Sequence, residues 1–137
     1  MMSAMAEPLQ QLRPLGITLL RMALGVIFLF HGLTKVLALQ QWTHNFVHMG
    51  FPGWVAYLIG PLETVGGVLL ILGLFSRIAG LLLAGDLLVA VITVHLPRGP
   101  IWHVNDYELQ MLLSAASFWI FCYGGGPWSL DRTQRRA

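Results

Sequence analysis

Polar positions are rare along most of this chain, and they separate four long apolar runs. The runs cover residues 15–38, 53–75, 77–96 and 107–123. Each is about 17–24 residues long, close to the roughly 20 residues that an α-helix needs to cross a bilayer. The runs are continuously apolar, and their lack of period-two alternation excludes a membrane β-barrel. The pattern therefore predicts an all-α integral membrane protein, a bundle of four spanning helices.

Composition agrees with a lipid bilayer as the surroundings of the chain. Of 137 residues, 56% are hydrophobic and 10% are charged, whereas about 25% of residues are charged in typical soluble domains. The mean hydropathy of +0.70 excludes intrinsic disorder, which requires low hydrophobicity and high net charge. The eight Lys and Arg residues form no basic face, so we expect no nucleic acid partner. The single cysteine, Cys122, excludes an internal disulfide framework.

Loop charges predict how the bundle is oriented. With four spans, both termini and the short turn at 76–77 share one side, and the opposite side carries only Lys35 and Arg98. The terminal side carries five arginines, Arg13, Arg77, Arg132, Arg135 and Arg136. By the positive-inside rule, both termini are cytoplasmic. We expect a polar lead at 1–14, a membrane domain at 15–131 and a basic cytoplasmic tail at 132–137.

Ionisable side chains inside the runs are the candidates for function, because each is costly in a bilayer unless it is paired or hydrated. Depth along the helices predicts an inner layer in which Arg21 reaches Glu63 and Asp86. An outer layer contains His31, Lys35, His95, Asp106 and Glu108, with His103 nearby. The inner layer is either a structural ion-pair network or a polar cavity for a small ligand or a proton path.

Helical spacing predicts which side chains share a face. Arg21 and Lys35 fall on one stripe with His31, whereas Asp86 and His95 are nine residues apart and face opposite sides of an α-helix. One of the latter pair must then face a neighbouring helix or a partner chain. Pro61 either kinks the second run or marks its first helical turn. Small residues offer close-packing surfaces for a homo-oligomer, namely Gly66, Gly67, Gly80 and Ala84.

Three kinds of site are compatible with these residues. A quinone site requires an apolar cavity with hydrogen-bonding groups at each carbonyl, and His31 with Lys35, facing Glu63 or Glu108, provides them. The aromatic residues expected to line it are Phe28, Phe30, Trp102, Tyr107 and Trp119. Alternatively, His31, His95 and Glu108 are metal ligands, or His31 and His95 ligate a haem.

Short motifs also follow one another in a distinctive order. They are Arg21 to Lys35 (RMALGVIFLFHGLTK), Glu63 to Gly67 (ETVGG), Leu72 to Arg77 (LGLFSR), Asp86 to His95, Tyr107-Glu108 and Gly124 to Asp131 (GGGPWSLD). This ordered set, over about residues 15–131, resembles the DoxX family of small bacterial membrane proteins. The resemblance implies a four-helix protein of the bacterial inner membrane, described as an oxidoreductase. It also implies links to thiosulfate:quinone oxidoreduction, to quinone or catechol stress, and to membrane complexes that handle oxidative and thiol stress.

The resemblance and the outer polar layer together predict a quinone-linked oxidoreductase or the membrane subunit of a redox complex. The resemblance matches Arg21, His31, Lys35, Glu63, Arg77, His95 and Glu108 to family positions; Asp86 joins the ligand-binding set from its depth. The chain has no flavin or nicotinamide motif, so redox chemistry would need a partner redox enzyme or a bound quinone. Two other hypotheses are a non-catalytic anchor for a partner redox enzyme, and a small-solute or proton transporter.

Overall fold

The computed structural model describes residues 8–98 and 107–134, and the regular elements in those ranges are all helical. The long helices are α1 (Arg13–Leu37), α3 (Val55–Leu72), α4 (Ser76–Ala90) and α5 (Glu108–Tyr123). Two short helices follow α1 and α5, namely α2 (Leu39–His48) and α6 (Leu130–Gln134). At its end α4 continues into a π-helical turn, Val91–His95, and a 3-10 turn, Leu96–Arg98. The all-α prediction is confirmed for the described residues.

Three helical segments are long and apolar enough to cross a membrane. They are Pro8–Leu37, Val55–Leu72 and Ser76–His95. Helix α5 has 16 residues, fewer than the roughly 20 that a spanning helix needs, so the fourth span and the cytoplasmic termini stay predictions. Trp102, His103, Asp106, Arg135 and Arg136 lie outside the described residues, as does the side chain of Arg98.

Two helix pairs form the bundle, α1 with α3 and α4 with α5, and α3 packs on α4 to join them. Glycines set the close approaches. A Cβ on Gly67 would lie 2.5 Å from the Leu29 backbone nitrogen in α1, and one on Gly80 would lie 2.7 Å from the Ser117 carbonyl oxygen in α5. Between these crossings lies a core whose fully buried large side chains are Phe28, Leu70, Leu83 and Ile120.

The small residues that sequence assigns to a homo-oligomer surface therefore pack within the chain. Gly66 and Gly67 face Leu83 and Leu29, and Gly80 faces α5. Ala84 is buried as well. The interpretation of these four positions as a contact between copies was wrong, because the bundle itself uses them.

The α3–α4 turn is closed by the C-terminal segment of the chain. Gly73 and Phe75 adopt positive φ angles of 68° and 50°, the second unusual for a residue with a side chain. The Asp131 carboxylate accepts hydrogen bonds from the backbone N–H groups of Phe75 at 2.6 Å and Ser76 at 2.9 Å. These N–H groups begin α4 and have no intrahelical acceptor, so Asp131 supplies the cap.

Helix boundaries agree with the predicted runs to within a few residues. They also distinguish the two roles predicted for Pro61, a kink or the first turn of the helix. Helix α3 begins at Val55 and contains Pro61 in its interior, so the alternative in which Pro61 starts the helix was wrong. Gly124 (φ 86°) follows the last residue of α5, as expected of a glycine at a helix end.

Candidate functional site

A cavity of about 350 Å³ lies between α1, α3, α4 and α5, at the end where α2 packs against α1 and α3. Its polar lining residues are His31, Lys35, Glu63, Asp86, His95 and Gln110. Its large apolar and aromatic lining residues are Trp42, Phe46, Met49, Phe51, Val55, Ile59, Leu87, Val89, Val94, Leu109 and Leu113. The polar groups therefore come from all four long helices and converge on one apolar space.

The Lys35–Glu63 ion pair forms one wall of this cavity. The Lys35 ammonium donates to the Glu63 carboxylate across the α1–α3 interface, and the two side chains are 11% and 3% exposed. The ammonium also lies 3.4 Å from the His31 carbonyl oxygen and 5.0 Å from the centre of the Trp42 ring. A cation close to an indole ring is stabilised by the ring quadrupole, so Trp42 from α2 helps to hold Lys35.

Asp86 brings a second carboxyl group to the same pair. Glu63 and Lys35 are the charged groups that act on Asp86 most strongly. Its Oδ2 atom is buried and has no hydrogen-bond partner among the described residues. A buried acceptor without a partner costs about 1–3 kcal/mol, so Asp86 is suited to receive a hydrogen bond from a bound molecule.

His95 joins Asp86 in lining the cavity, and the prediction that the two face opposite sides was wrong. That prediction assumed an unbroken α-helix with about 100° of rotation per residue. The Val91–His95 segment is instead a π-helical turn, whose i→i+5 hydrogen bonds accommodate one extra residue. The extra residue rotates His95 to within about a quarter turn of Asp86.

Arg21 lies away from this cavity, contrary to the predicted inner layer with Glu63 and Asp86. Its guanidinium donates to the carbonyl oxygens of Leu70 at 2.5 Å, Ile71 at 2.8 Å and Trp128 at 2.8 Å. The first two carbonyls belong to the last turn of α3, where regular i→i+4 N–H partners run out; the Leu70 oxygen also accepts from the Gly73 N–H at 3.2 Å. Arg21 therefore satisfies the end of α3, and Lys35 is the cation that meets the carboxylates.

Glu108 is not brought to the cavity either: it is exposed at the start of α5 and is absent from the cavity lining. The alternative metal set of His31, His95 and Glu108 is not formed, since no three His, Cys, Asp or Glu side chains within 8–98 and 107–134 lie close enough to hold a metal ion. His31 does line the cavity, although it is exposed.

The aromatic wall comes from the connection between the first two predicted runs, whose residues are not in the lining set that the sequence predicts. Trp42 and Phe46 of α2, followed by Phe51, line the cavity. Of the predicted lining residues, Phe28 is in the core and Phe30 is 62% exposed. The signal for α2 was present, because Trp42, Phe46 and Met49 repeat at the spacing of one helix face.

A second, larger cavity of about 580 Å³ lies at the opposite end of the bundle, around the α3–α4 turn. Two of its charged side chains form hydrogen bonds with backbone groups. Asp131 accepts the two N–H groups described above, and Arg77 donates to the carbonyl oxygens of Phe121 at 3.0 Å and Cys122 at 2.8 Å. These contacts cap the ends of α4 and α5, so the polar groups here serve the fold.

Comparison with known proteins gives a consistent set of relatives. The model of the family described as DoxX matches residues 16–96. The Bacillus subtilis protein named "Putative oxidoreductase CatD" is 38% identical over 101 residues, covering 74% of this chain and 75% of that protein. The Mycobacterium tuberculosis membrane protein Rv3486 is 31% identical, covering 87% and 81%. The Escherichia coli inner membrane protein YqjF is 23% identical, covering 90% and 95%. No solved structure matches the chain.

Proposed function

Because the chain belongs to the DoxX family of membrane proteins, we propose that it is a quinone-linked oxidoreductase or the membrane subunit of a redox complex. The head group of the quinone would occupy the cavity between α1, α3, α4 and α5. One relative bears the name of an oxidoreductase. The observation that carries the proposal is that the cavity joins an aromatic wall from α2 to a cluster of buried Lys35, buried Glu63 and half-buried Asp86.

The chemistry of the lining fits an aromatic head group with two oxygen atoms. Trp42, Phe46 and Phe51 provide flat apolar surface, which is typical of small-molecule sites. Lys35 and Gln110 carry hydrogen-bond donors for the oxygens of a quinone, and Asp86 Oδ2, which has no partner among the described residues, can meet a hydroxyl group of the reduced form. A volume of about 350 Å³ lies within the range of ordinary ligand pockets, roughly 300–1,000 Å³. The isoprenoid tail of a membrane quinone would extend into the surrounding lipid.

The charge balance of the cluster supports proton exchange with the quinone. Lys35, Glu63 and Asp86 together are neutral when they hold one proton between the two carboxyl groups. Reduction of a quinone to its hydroquinone takes two electrons and two protons. The cluster supplies or accepts protons at the head group, and a partner redox enzyme supplies the electrons.

The proposed topology places this cavity toward the non-cytoplasmic half of the bacterial inner membrane. In it, α5 is the fourth span, residues 15–131 form the membrane domain, and the lead and the basic tail at 132–137 are cytoplasmic. Its support is geometric: Ile17 and Gly126 lie together at the end that holds the α3–α4 turn, and Arg77 and Arg132 lie at the same end. Protons would then exchange with the outer compartment.

The test is mass spectrometry of the lipid extract of the purified full chain, together with its absorption spectrum. We expect a quinone to co-purify with the wild-type protein and to be depleted in a Gln110→Leu variant, which removes a hydrogen-bond donor from the cavity lining. Glu108→Gln is the control, because Glu108 is an exposed acid outside the cavity lining. A preparation without quinone that also fails to bind added quinone would contradict the proposal, and a haem spectrum would support ligation by His31 and His95 instead.

A further inference from the structure

The imidazole of His95 is held in one tautomer by its own helix. Nδ1 lies 3.0 Å from the carbonyl oxygen of Ala90, five residues earlier. A carbonyl oxygen only accepts hydrogen bonds, so Nδ1 must be the donor. In the neutral ring the proton is therefore on Nδ1, and Nε2 is left as a hydrogen-bond acceptor.

The π-helical turn makes this arrangement possible. The Ala90 carbonyl stands one residue before the turn, where the change in hydrogen-bond pattern brings it within reach of the imidazole. The same turn rotates the ring toward the cavity, which His95 lines while half-buried. Among the described residues, no other group bonds this ring. With Nδ1 bonded to the Ala90 carbonyl oxygen, Nε2 is the ring nitrogen left to accept a hydrogen bond from a molecule in this cavity.

A ring nitrogen without a proton distinguishes the two redox forms of a quinone. Both oxygens of the oxidised form are acceptors and gain nothing from Nε2. Both oxygens of the reduced form carry hydroxyl groups and can donate to it. Asp86 Oδ2, which has no hydrogen-bond partner among the described residues, is a second acceptor in the same lining when Asp86 is ionised. The Lys35 ammonium can donate to an oxygen of either form, so it does not discriminate between them.

We propose that the cavity binds the hydroxyl-bearing form, a hydroquinone, in preference to the quinone, with His95 Nε2 accepting a hydrogen bond from one hydroxyl group. This inference rests on the proposed function and names the form of substrate that the same site recognises. His95 is a specificity-determining residue under this proposal, because it contacts the group by which the two forms differ.

The test compares the affinity of the full chain in lipid nanodiscs for a short-tailed benzoquinone and for its hydroquinone, measured anaerobically by calorimetry. In the wild type we expect the hydroquinone to bind more tightly. His95→Phe preserves a flat ring but removes the acceptor, so hydroquinone affinity should fall about tenfold, the equivalent of one hydrogen bond, while quinone affinity changes less than about twofold. His44→Phe is the control, because His44 is exposed and outside the cavity lining.

The outcomes separate this inference from the proposed function. Equal loss of both affinities in His95→Phe, or no loss of either, overturns the inference and leaves quinone binding standing. Failure of the wild type to bind either compound overturns both. Nitrogen NMR of the labelled wild type is independent of the variant's folding: we expect the Nδ1–H tautomer for His95 and a shift of the Nε2 signal on adding hydroquinone, and an Nε2–H tautomer would overturn the inference.

Discussion

Lys35 and Glu63 form an ion pair between α1 and α3, and both side chains are buried. Glycines at the crossing of the two helices bring their backbones together: a Cβ on Gly60 would lie 3.2 Å from Cβ of Lys35. The carboxylate therefore meets the ammonium inside an apolar bundle, where removal of either partner leaves an uncompensated charge. Stability and ligand binding depend on the same two side chains.

This relationship predicts a strong interaction in a double-mutant cycle. Lys35→Met and Glu63→Leu should each lower the free energy of unfolding by about 3–5 kcal/mol, because each removes the group to which a buried charge is directly bonded. The double variant should cost less than either single variant, since both charges are absent. Unfolding in mixed detergent micelles by titration with a denaturing detergent measures these values. Costs that simply add would contradict the ion pair.

Arg21 should affect stability without affecting the cavity. Arg21→Met removes donors from three carbonyl groups at the end of α3 and near Trp128, and we expect a loss of at least about 2 kcal/mol. Because Arg21 does not line the cavity, the variant that remains folded should bind quinones and hydroquinones with wild-type affinity. The same titration and binding measurements check both parts. Arg13→Met, at an exposed position, is the control. Loss of binding affinity in folded Arg21→Met would contradict this assignment and favour the predicted contact of Arg21 with the carboxylates.

The sequence predicted the helices well because a long apolar run identifies a membrane helix without knowledge of its tertiary contacts. It also identified Lys35, Glu63, Asp86, His31 and His95, since charged or imidazole groups are conspicuous in such runs. All five line the cavity. The prediction from depth that Arg21 meets Glu63 and Asp86 was wrong, however. The depth of a residue along its helix does not reveal which face of α1 meets α3.

The remaining errors have local physical causes. Asp86 and His95 line the same cavity because Val91–His95 is a π-helical turn. The sequence does not indicate this turn, since the same residues are compatible with an α-helix. The aromatic wall depended on α2 packing against α1 and α3, a tertiary event that the spacing of Trp42 and Phe46 only permits. The prediction that small residues contact a second copy was wrong because Gly67 and Gly80 lie at helix contacts within the chain.

The cap formed by Asp131 predicts that the C-terminal segment stabilises the α3–α4 turn. Asp131→Ala should lower the free energy of unfolding by about 1–2 kcal/mol, because the N–H groups of Phe75 and Ser76 lose their acceptor. Asp131→Asn retains one acceptor oxygen and should cost less. Amide hydrogen exchange at residues 75–76 provides a local measurement, and it should accelerate in Asp131→Ala. Arg132→Ala, at an exposed neighbour, is the control; unchanged exchange in Asp131→Ala would contradict the cap.

The contact at Gly67 predicts that the cavity depends on close packing of α1 against α3. In Gly67→Ala the new Cβ would lie 2.5 Å from the Leu29 nitrogen and 2.7 Å from the Gly25 carbonyl oxygen, and backbone atoms cannot move aside as a flexible side chain can. We expect a loss of about 1–3 kcal/mol, together with weaker ligand binding as the helices separate at the Lys35–Glu63 pair. Gly85→Ala is the matched control: nothing lies within 4 Å of its new Cβ, so the higher helix propensity of alanine should raise stability by up to about 1 kcal/mol. Equal effects of the two substitutions on unfolding would show that helix propensity, rather than the α1–α3 contact, governs this position.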